Sequence, residues 1–121
     1  RQRQMCIRDR FISSGESQMV LFMSGLLQNS KLTIYDEPTA NLDNDKKIKI
    51  YQMLKNSYGF KIVITHDLNL AYRLGFRTIY LQEGKRVFDG KSKDFFKDEN
   101  LQTIFGDCIK RVDEFFMVNF Q

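Results

Sequence analysis

The sequence predicts an α/β fold, a parallel βαβ core followed by a C-terminal hairpin and short helices. Three observations carry that prediction. Lys31–Tyr35 and Lys61–Thr65 are short, apolar, β-prone runs. Between them Ile48, Tyr51, Leu54 and Tyr58 recur at helical spacing. Further on, Thr78–Leu81 and Arg86–Phe88 are separated by a turn around Glu83-Gly84. Strand, helix and strand in that order close as a right-handed crossover with parallel strands.

Taken along the chain, Met19, Val20, Met23, Leu26 and Leu27 recur at helical spacing after Gly15 and predict a helix over about 16–28, with Ser13 or Ser14 at its N-cap. The first β-prone run follows. The central helix is expected to start near Asn44 or Asp45 and to stop before Gly59. After the second run, 67–74 reads as a helix halted by Gly75. Beyond the hairpin lie two short helices, near 92–96 and 99–105, the second stopped by Gly106. Runs 109–112 and 115–118 complete the chain as a last pair of strands. No repeat or low-complexity linker marks an internal boundary.

The 121 residues, 42% hydrophobic and 13% aromatic, suffice for a modest core and exclude a disordered chain. The longest mostly apolar run, Met19–Leu27, is interrupted by Ser24 and Gly25 and falls short of the roughly 18 residues that would span a bilayer. The formal charge of +4 is local rather than global. Four of the 19 basic and one of the 15 acidic side chains fall within residues 1–10, leaving 15 and 14 in the rest. A basic tail on a nearly neutral body reads as a solvated arm, and no nucleic-acid partner is expected. The opening RQRQMCIRDR lacks the apolar stretch of a signal peptide and resembles translated adapter sequence, so residues 1–10 are set apart from a body over 11–121. Cys6 and Cys108 have no cysteine or histidine partner at ligand spacing, which argues against zinc and against a disulfide framework.

Ligands of open parallel sheets sit beyond the carboxyl ends of the strands. The first run leads into Asp36-Glu37 and its parallel partner into Thr65-His66, so these three side chains share one edge. An Asp there can hold Mg²⁺, directly or through water, and an adjacent Glu can orient and deprotonate a water for attack on a phosphoryl group. His66 can then contact the transferred phosphate. Equally, the pair of acids could be a solvated strand end and the histidine a structural residue.

Four motifs occur in one order: Ser13-Ser14-Gly15-Glu16, Leu32–Glu37, Ala40-Asn41-Leu42-Asp43 and Ile64-Thr65-His66-Asp67. They resemble the signature loop, Walker B strand, D-loop and switch histidine of the ATP-binding cassette (ABC) ATPases. The resemblance covers the chain from about Phe11 and implies the C-terminal portion of a P-loop ATPase domain. It implies ATP and Mg²⁺ as cofactors, with Asp36 at the metal and Glu37 and His66 catalytic. In the family two ATPase subunits clasp ATP head to tail. Ser13, Ser14, Gly15 and Glu16 would therefore touch nucleotide held by a second subunit, and Asp43 would couple the two sites. The resemblance also implies a membrane permease partner and a cytoplasmic position at the inner face of the membrane. Thr65–Ala71, Phe88-Asp89-Gly90 and Glu99-Asn100-Leu101 leading to Ile104-Phe105-Gly106 look like the importer ATPases for iron-siderophore, haem and cobalamin. Ser14 stands where Gly is usual, Met19 and Ser24 where Arg is common, and Ala40 where Ser is common.

A P-loop needs GxxxxGK[ST] between a strand and a helix, so that backbone N–H groups converge on the phosphates. The nearest match, Gly84–Ser92, has five residues between its glycines and reads as a hairpin. The P-loop strand and the Q-loop are thus expected to be missing from these residues, which alone are expected to be inactive. In the P-loop architecture the absent strand would lie beside the His66 strand. Thr33–Tyr35 should pair in parallel with Ile62–Ile64, and Thr78–Leu81 should either close onto the His66 strand or stay apart from it. Two other readings of the same motifs are an ABC-type ATPase of DNA repair or chromosome maintenance, and a non-catalytic docking or regulatory fragment.

Overall fold

The computed structural model describes residues 14–113 and 115–118; the tail over 1–10 and the capping candidate Ser13 lie outside them. The chain divides after His66 into two compact units.

In the first unit, α1 spans Ser14–Leu27, β1 Leu32–Asp36, α2 Asn44–Asn56 and β2 Phe60–Ile64. β1 and β2 pair in parallel, with Thr33 opposite Lys61, Ile34 opposite Ile62 and Tyr35 opposite Val63. The expected βαβ unit is therefore present, each strand displaced by one residue from the apolar run that predicted it. Asp43, one residue before the expected start, caps α2. Its carboxylate accepts from the Lys46 N–H at 2.9 Å, as a short acceptor does at a helix N-terminus. At the other end Ser57 adopts an extended conformation and its N–H bonds the Met53 carbonyl.

The residues that α2 buries coincide only in part with those whose spacing predicts it. Ile50 and Leu54 are fully buried, whereas Ile48 is 54% exposed and Tyr58 lies wholly in solvent. Positions 50 and 54 are one turn apart and face one way, and Tyr58 falls after the helix has ended, so its helical spacing has no geometric meaning. Burying Ile50 and Leu54 contributes about 1.5–3 kcal/mol each. The same holds for α1. The residues that predicted it, Val20, Met23 and Leu27 among them, are largely exposed, and Phe22 points inward with its ring 4.8 Å from that of Tyr35. A helix apolar on most of its circumference does not announce its buried side. Burial also pushes the Tyr35 hydroxyl pKa up, against a smaller opposite effect of its hydrogen bond with Thr33.

One face of the β1–β2 pair is covered and the other is bare. Tyr35 is buried, but Leu32, Ile34, Phe60, Ile62 and Ile64 are all exposed. These five occupy alternate positions of paired strands and so share a face.

The second unit begins with α3, Leu68–Leu74, capped by the Asp67 carboxylate on the Asn69 and Leu70 N–H groups and closed by Gly75 in the left-handed conformation. β3 (Thr78–Gln82) and β4 (Lys85–Gly90) form an antiparallel hairpin. Its two-residue turn has positive φ at both Glu83 and Gly84, which matches the twist of the strands. The hairpin rules out a phosphate loop at Gly84–Ser92. Then come α4 (Ser92–Phe95), α5 (Asp98–Phe105), a 3₁₀ turn (Gly106–Cys108), and the antiparallel pair β5 (Ile109–Val112) and β6 (Phe115–Val118). Among the described residues β3 pairs only with β4, and β2 only with β1. The core is aromatic: Phe95, Phe96, Leu101 and Phe116 are buried, with Tyr72, Tyr80, Phe88 and Phe105 packed around them. Edge-on and tilted ring pairs between 4.9 and 6.4 Å link these residues, the geometry aromatic quadrupoles favour. Asn69 ties α3 to β6, donating to the Phe116 carbonyl at 3.2 Å and accepting from its N–H at 2.8 Å.

Candidate functional site

Asp36 is the last residue of β1, and the backbone turns immediately after it. Glu37 takes a positive φ of 49°, a conformation that costs a non-glycine residue on the order of 1 kcal/mol. Several bonds hold it there. The Glu37 N–H donates to the Ile64 carbonyl of β2 at 2.8 Å, and the Glu37 carbonyl accepts from the Ala40 N–H at 3.2 Å. The Gln18 side-chain amide of α1 donates to the carbonyls of both Glu37 and Pro38 at 3.1 Å. Pro38 and Thr39 behind this turn are buried.

That fixed turn brings the Glu37 carboxylate against the end of β2. Its Oε1 accepts from the His66 N–H at 3.0 Å and lies 3.5 Å from the His66 Nε2. The Glu37 side chain is 31% exposed, whereas the imidazole is 99% exposed. The pair thus combines a partly shielded carboxylate with a solvent-reachable ring. Asp36 is exposed beside them, at the strand position opposite Ile64. The three residues assembled from sequence order therefore meet at one edge.

The remaining candidates are arranged differently. Ser14 opens α1, Glu16 stands exposed in its first turn, and Gly15 is buried. A Cβ at Gly15 would come within 3.0 Å of the Lys46 Nζ, so a larger residue here would require the flexible end of the Lys46 side chain to give way. Lys46 reaches back to Asp43, with Nζ 3.8 Å from Oδ2. The described contacts of Asp43 are thus those of a helix cap and a weak ion pair. A carboxylate that is 63% exposed on its side chain stays reachable as well.

Sequence reasoning missed Gln18 and Lys46. Gln18 sits three residues after Gly15 and four before Phe22, on the face those two buried residues define. A polar side chain on that face would have been the signal, had the buried side of α1 been known. Among the described residues no group of three or more His, Cys, Asp or Glu side chains is clustered as a metal cage. An open cleft of about 850 Å³, lined by Tyr72, Arg73, Arg77, Asp89, Lys91 and Lys93 among others, lies within the second unit and contains none of the candidate residues. No described helix is long and apolar enough to cross a membrane.

No family model matches the chain. Individual proteins do. The chain is 37% identical over 87 residues to the phosphonates import ATP-binding protein PhnC of Lactobacillus acidophilus, covering 69% of this chain and 34% of the relative. It is 41% identical over 78 residues to the lipoprotein-releasing system ATP-binding protein LolD of Pseudoalteromonas translucida, covering 61% of this chain and 33% of the relative. Its fold matches that of an ABC transporter described as of metal-chelate type, solved in an inward-facing conformation, with a TM-score of 0.68 at 23% identity over 89% of this chain and 46% of the other. The α/β fold is therefore that of an ABC transporter ATPase domain. The relatives and the structural neighbour together support the ABC transporter ATP-binding protein family for this chain, which spans about a third of the length of the curated relatives it matches.

Proposed function

We propose that these residues form the C-terminal part of the ATP-hydrolysing subunit of an ABC importer. The observation that carries the proposal is the contact of Glu37 with His66 beside Asp36, at the carboxyl ends of two parallel strands. Bound Mg-ATP would supply the phosphoryl group and the cation that neutralises its developing charge. Asp36 suits Mg²⁺ as a hard oxygen donor, since that cation is commonly held by one or two carboxylates plus substrate phosphates. Glu37 takes the proton of the attacking water onto its carboxylate, and His66, whose ring is fully reachable, contacts the transferring phosphate.

Ser13, Ser14, Gly15 and Glu16 act in this reading on nucleotide held by a second ATPase subunit, where a helix start favours an anion. Asp43 lies at the interface of the two subunits. The subunit works from the cytoplasmic face of the membrane, through a permease. A narrower cargo class, iron-siderophore, haem or cobalamin, is supported by Thr65–Ala71 and the Phe88-Asp89-Gly90 ending. The curated relatives carry names that point instead to phosphonates and to lipoprotein release.

The test is Glu37→Gln in the intact polypeptide that carries these residues. ATP binding is expected to survive while hydrolysis falls about 10²–10⁴-fold, the usual worth of general-base assistance. Turnover equal to that of the unmodified protein would remove Glu37 from this role.

A further inference from the structure

The Gln18 side chain of α1 bonds the turn that carries Glu37, and its geometry is specific. Its amide nitrogen has two hydrogens and faces two carbonyl oxygens, those of Glu37 and Pro38, each at 3.1 Å. Both neighbours are acceptors, so only the nitrogen of the amide can satisfy them. The bonds span about 20 residues of chain and are part-buried, where hydrogen bonds are stronger than in water. The residue they hold is the one in a left-handed conformation, with φ of 49°. A carboxylate placed by such a turn moves if the turn relaxes, because φ of Glu37 sets the direction of its side chain.

We propose that Gln18 is a positioning residue for Glu37: by clamping the Glu37 and Pro38 carbonyls, it fixes the turn that aims the Glu37 carboxylate at the end of β2. The link joins the helix that begins at Ser14 directly to the carboxylate at the strand end. Any displacement of α1 is thereby transmitted to Glu37 through two hydrogen bonds. The inference rests on the reading of Glu37 as the base for its catalytic meaning, and on the geometry alone for its structural meaning.

Two readouts separate these. The first is amide hydrogen exchange of Glu37 and Ala40, whose N–H groups bond Ile64 and the same Glu37 carbonyl. Gln18→Met keeps the length and helix propensity of the side chain and removes its donors; exchange at both amides is expected to quicken roughly tenfold or more. The second is ATPase kinetics of the intact polypeptide. Gln18→Met should lower kcat about tenfold with nucleotide affinity unchanged, and should cost nothing further in a Glu37→Gln background. Gln18→Lys, which retains a donor, should recover part of both effects.

Unchanged exchange in Gln18→Met would overturn the proposal even if Glu37→Gln abolishes turnover. So would a loss in Gln18→Met that adds in full to that of Glu37→Gln, or one that Gln18→Lys leaves unrepaired, since either marks a packing role. If exchange quickens while Glu37→Gln retains turnover, the positioning of Glu37 stands and its role as base falls.

Discussion

Asp89 shows how far a single exposed ion pair can be read. Both its oxygens accept from Arg77, at 2.8 Å each, and Arg86 lies 3.4 Å away. The Arg77 hydrogen bonds hold the carboxyl below the usual carboxylate range; desolvation opposes them, and the charges of Arg77 and Arg86 add smaller lowering effects. A depressed folded-state pKa contributes stability above the unfolded value, near 3.9, and that contribution disappears as pH falls through the lower folded value. Acid titration of thermal stability should accordingly show a low-pH limb that Asp89→Asn flattens; identical limbs would deny the pair any stabilising role. At this scale the sequence was legible where one residue type at a strand end has few uses. The placement of Asp36, Glu37 and His66 at one sheet edge follows that way. That of Gln18 does not, because its importance depends on which side of α1 is buried, a fact of tertiary packing. Asp43 was read only for its place in a motif, whereas its carboxylate also caps a helix.

Elements were legible to within a residue or two at their ends and less so at their faces. Both parallel strands, the hairpin and the last strand pair occur where the β-prone runs lie, because β-branched and aromatic residues suit a pleated, half-buried surface. The buried faces of α1 and α2 were not legible for a physical reason: spacing reveals that a helix forms, while the neighbours it meets decide what is buried. For α2 the consequence can be measured. Leu54→Ala, fully buried, should destabilise by about 2–5 kcal/mol, whereas Ile48→Ala, on the exposed side, should cost well under half as much. Asp43→Ala should cost about 1 kcal/mol through the lost cap. Denaturant unfolding of the three variants would check the order, and an Ile48 effect equal to that of Leu54 would contradict the assigned face.

For the whole molecule, the strongest expectation concerns residues 1–121 taken alone. Most affinity of a P-loop ATPase for its nucleotide comes from the loop amides and lysine on the phosphates, and no GxxxxGK[ST] occurs among these residues. Calorimetric titration with Mg-ATP should show no specific binding, with no ATPase activity alongside. A saturable response in the roughly micromolar range, abolished by Asp36→Asn, would mean the phosphate is held elsewhere. The bare face that Leu32, Ile34, Phe60, Ile62 and Ile64 form on β1 and β2 should also make these residues prone to associate.

The strand registers carry one more consequence, for the order of folding. In the second unit Gln82 meets Lys85 and Val112 meets Phe115, across turns two residues long, while in the first unit Leu32 must find Phe60 across an entire helix. Local hairpins close in about 1–10 μs, but distant partners must first overcome the entropy of a long loop. The later half of the chain should thus acquire its pairing before the earlier half does. Pulse-labelled exchange during refolding would register protection in β3 and β4 ahead of Tyr35 and Ile62, and the reverse sequence would show that the parallel pair nucleates the fold.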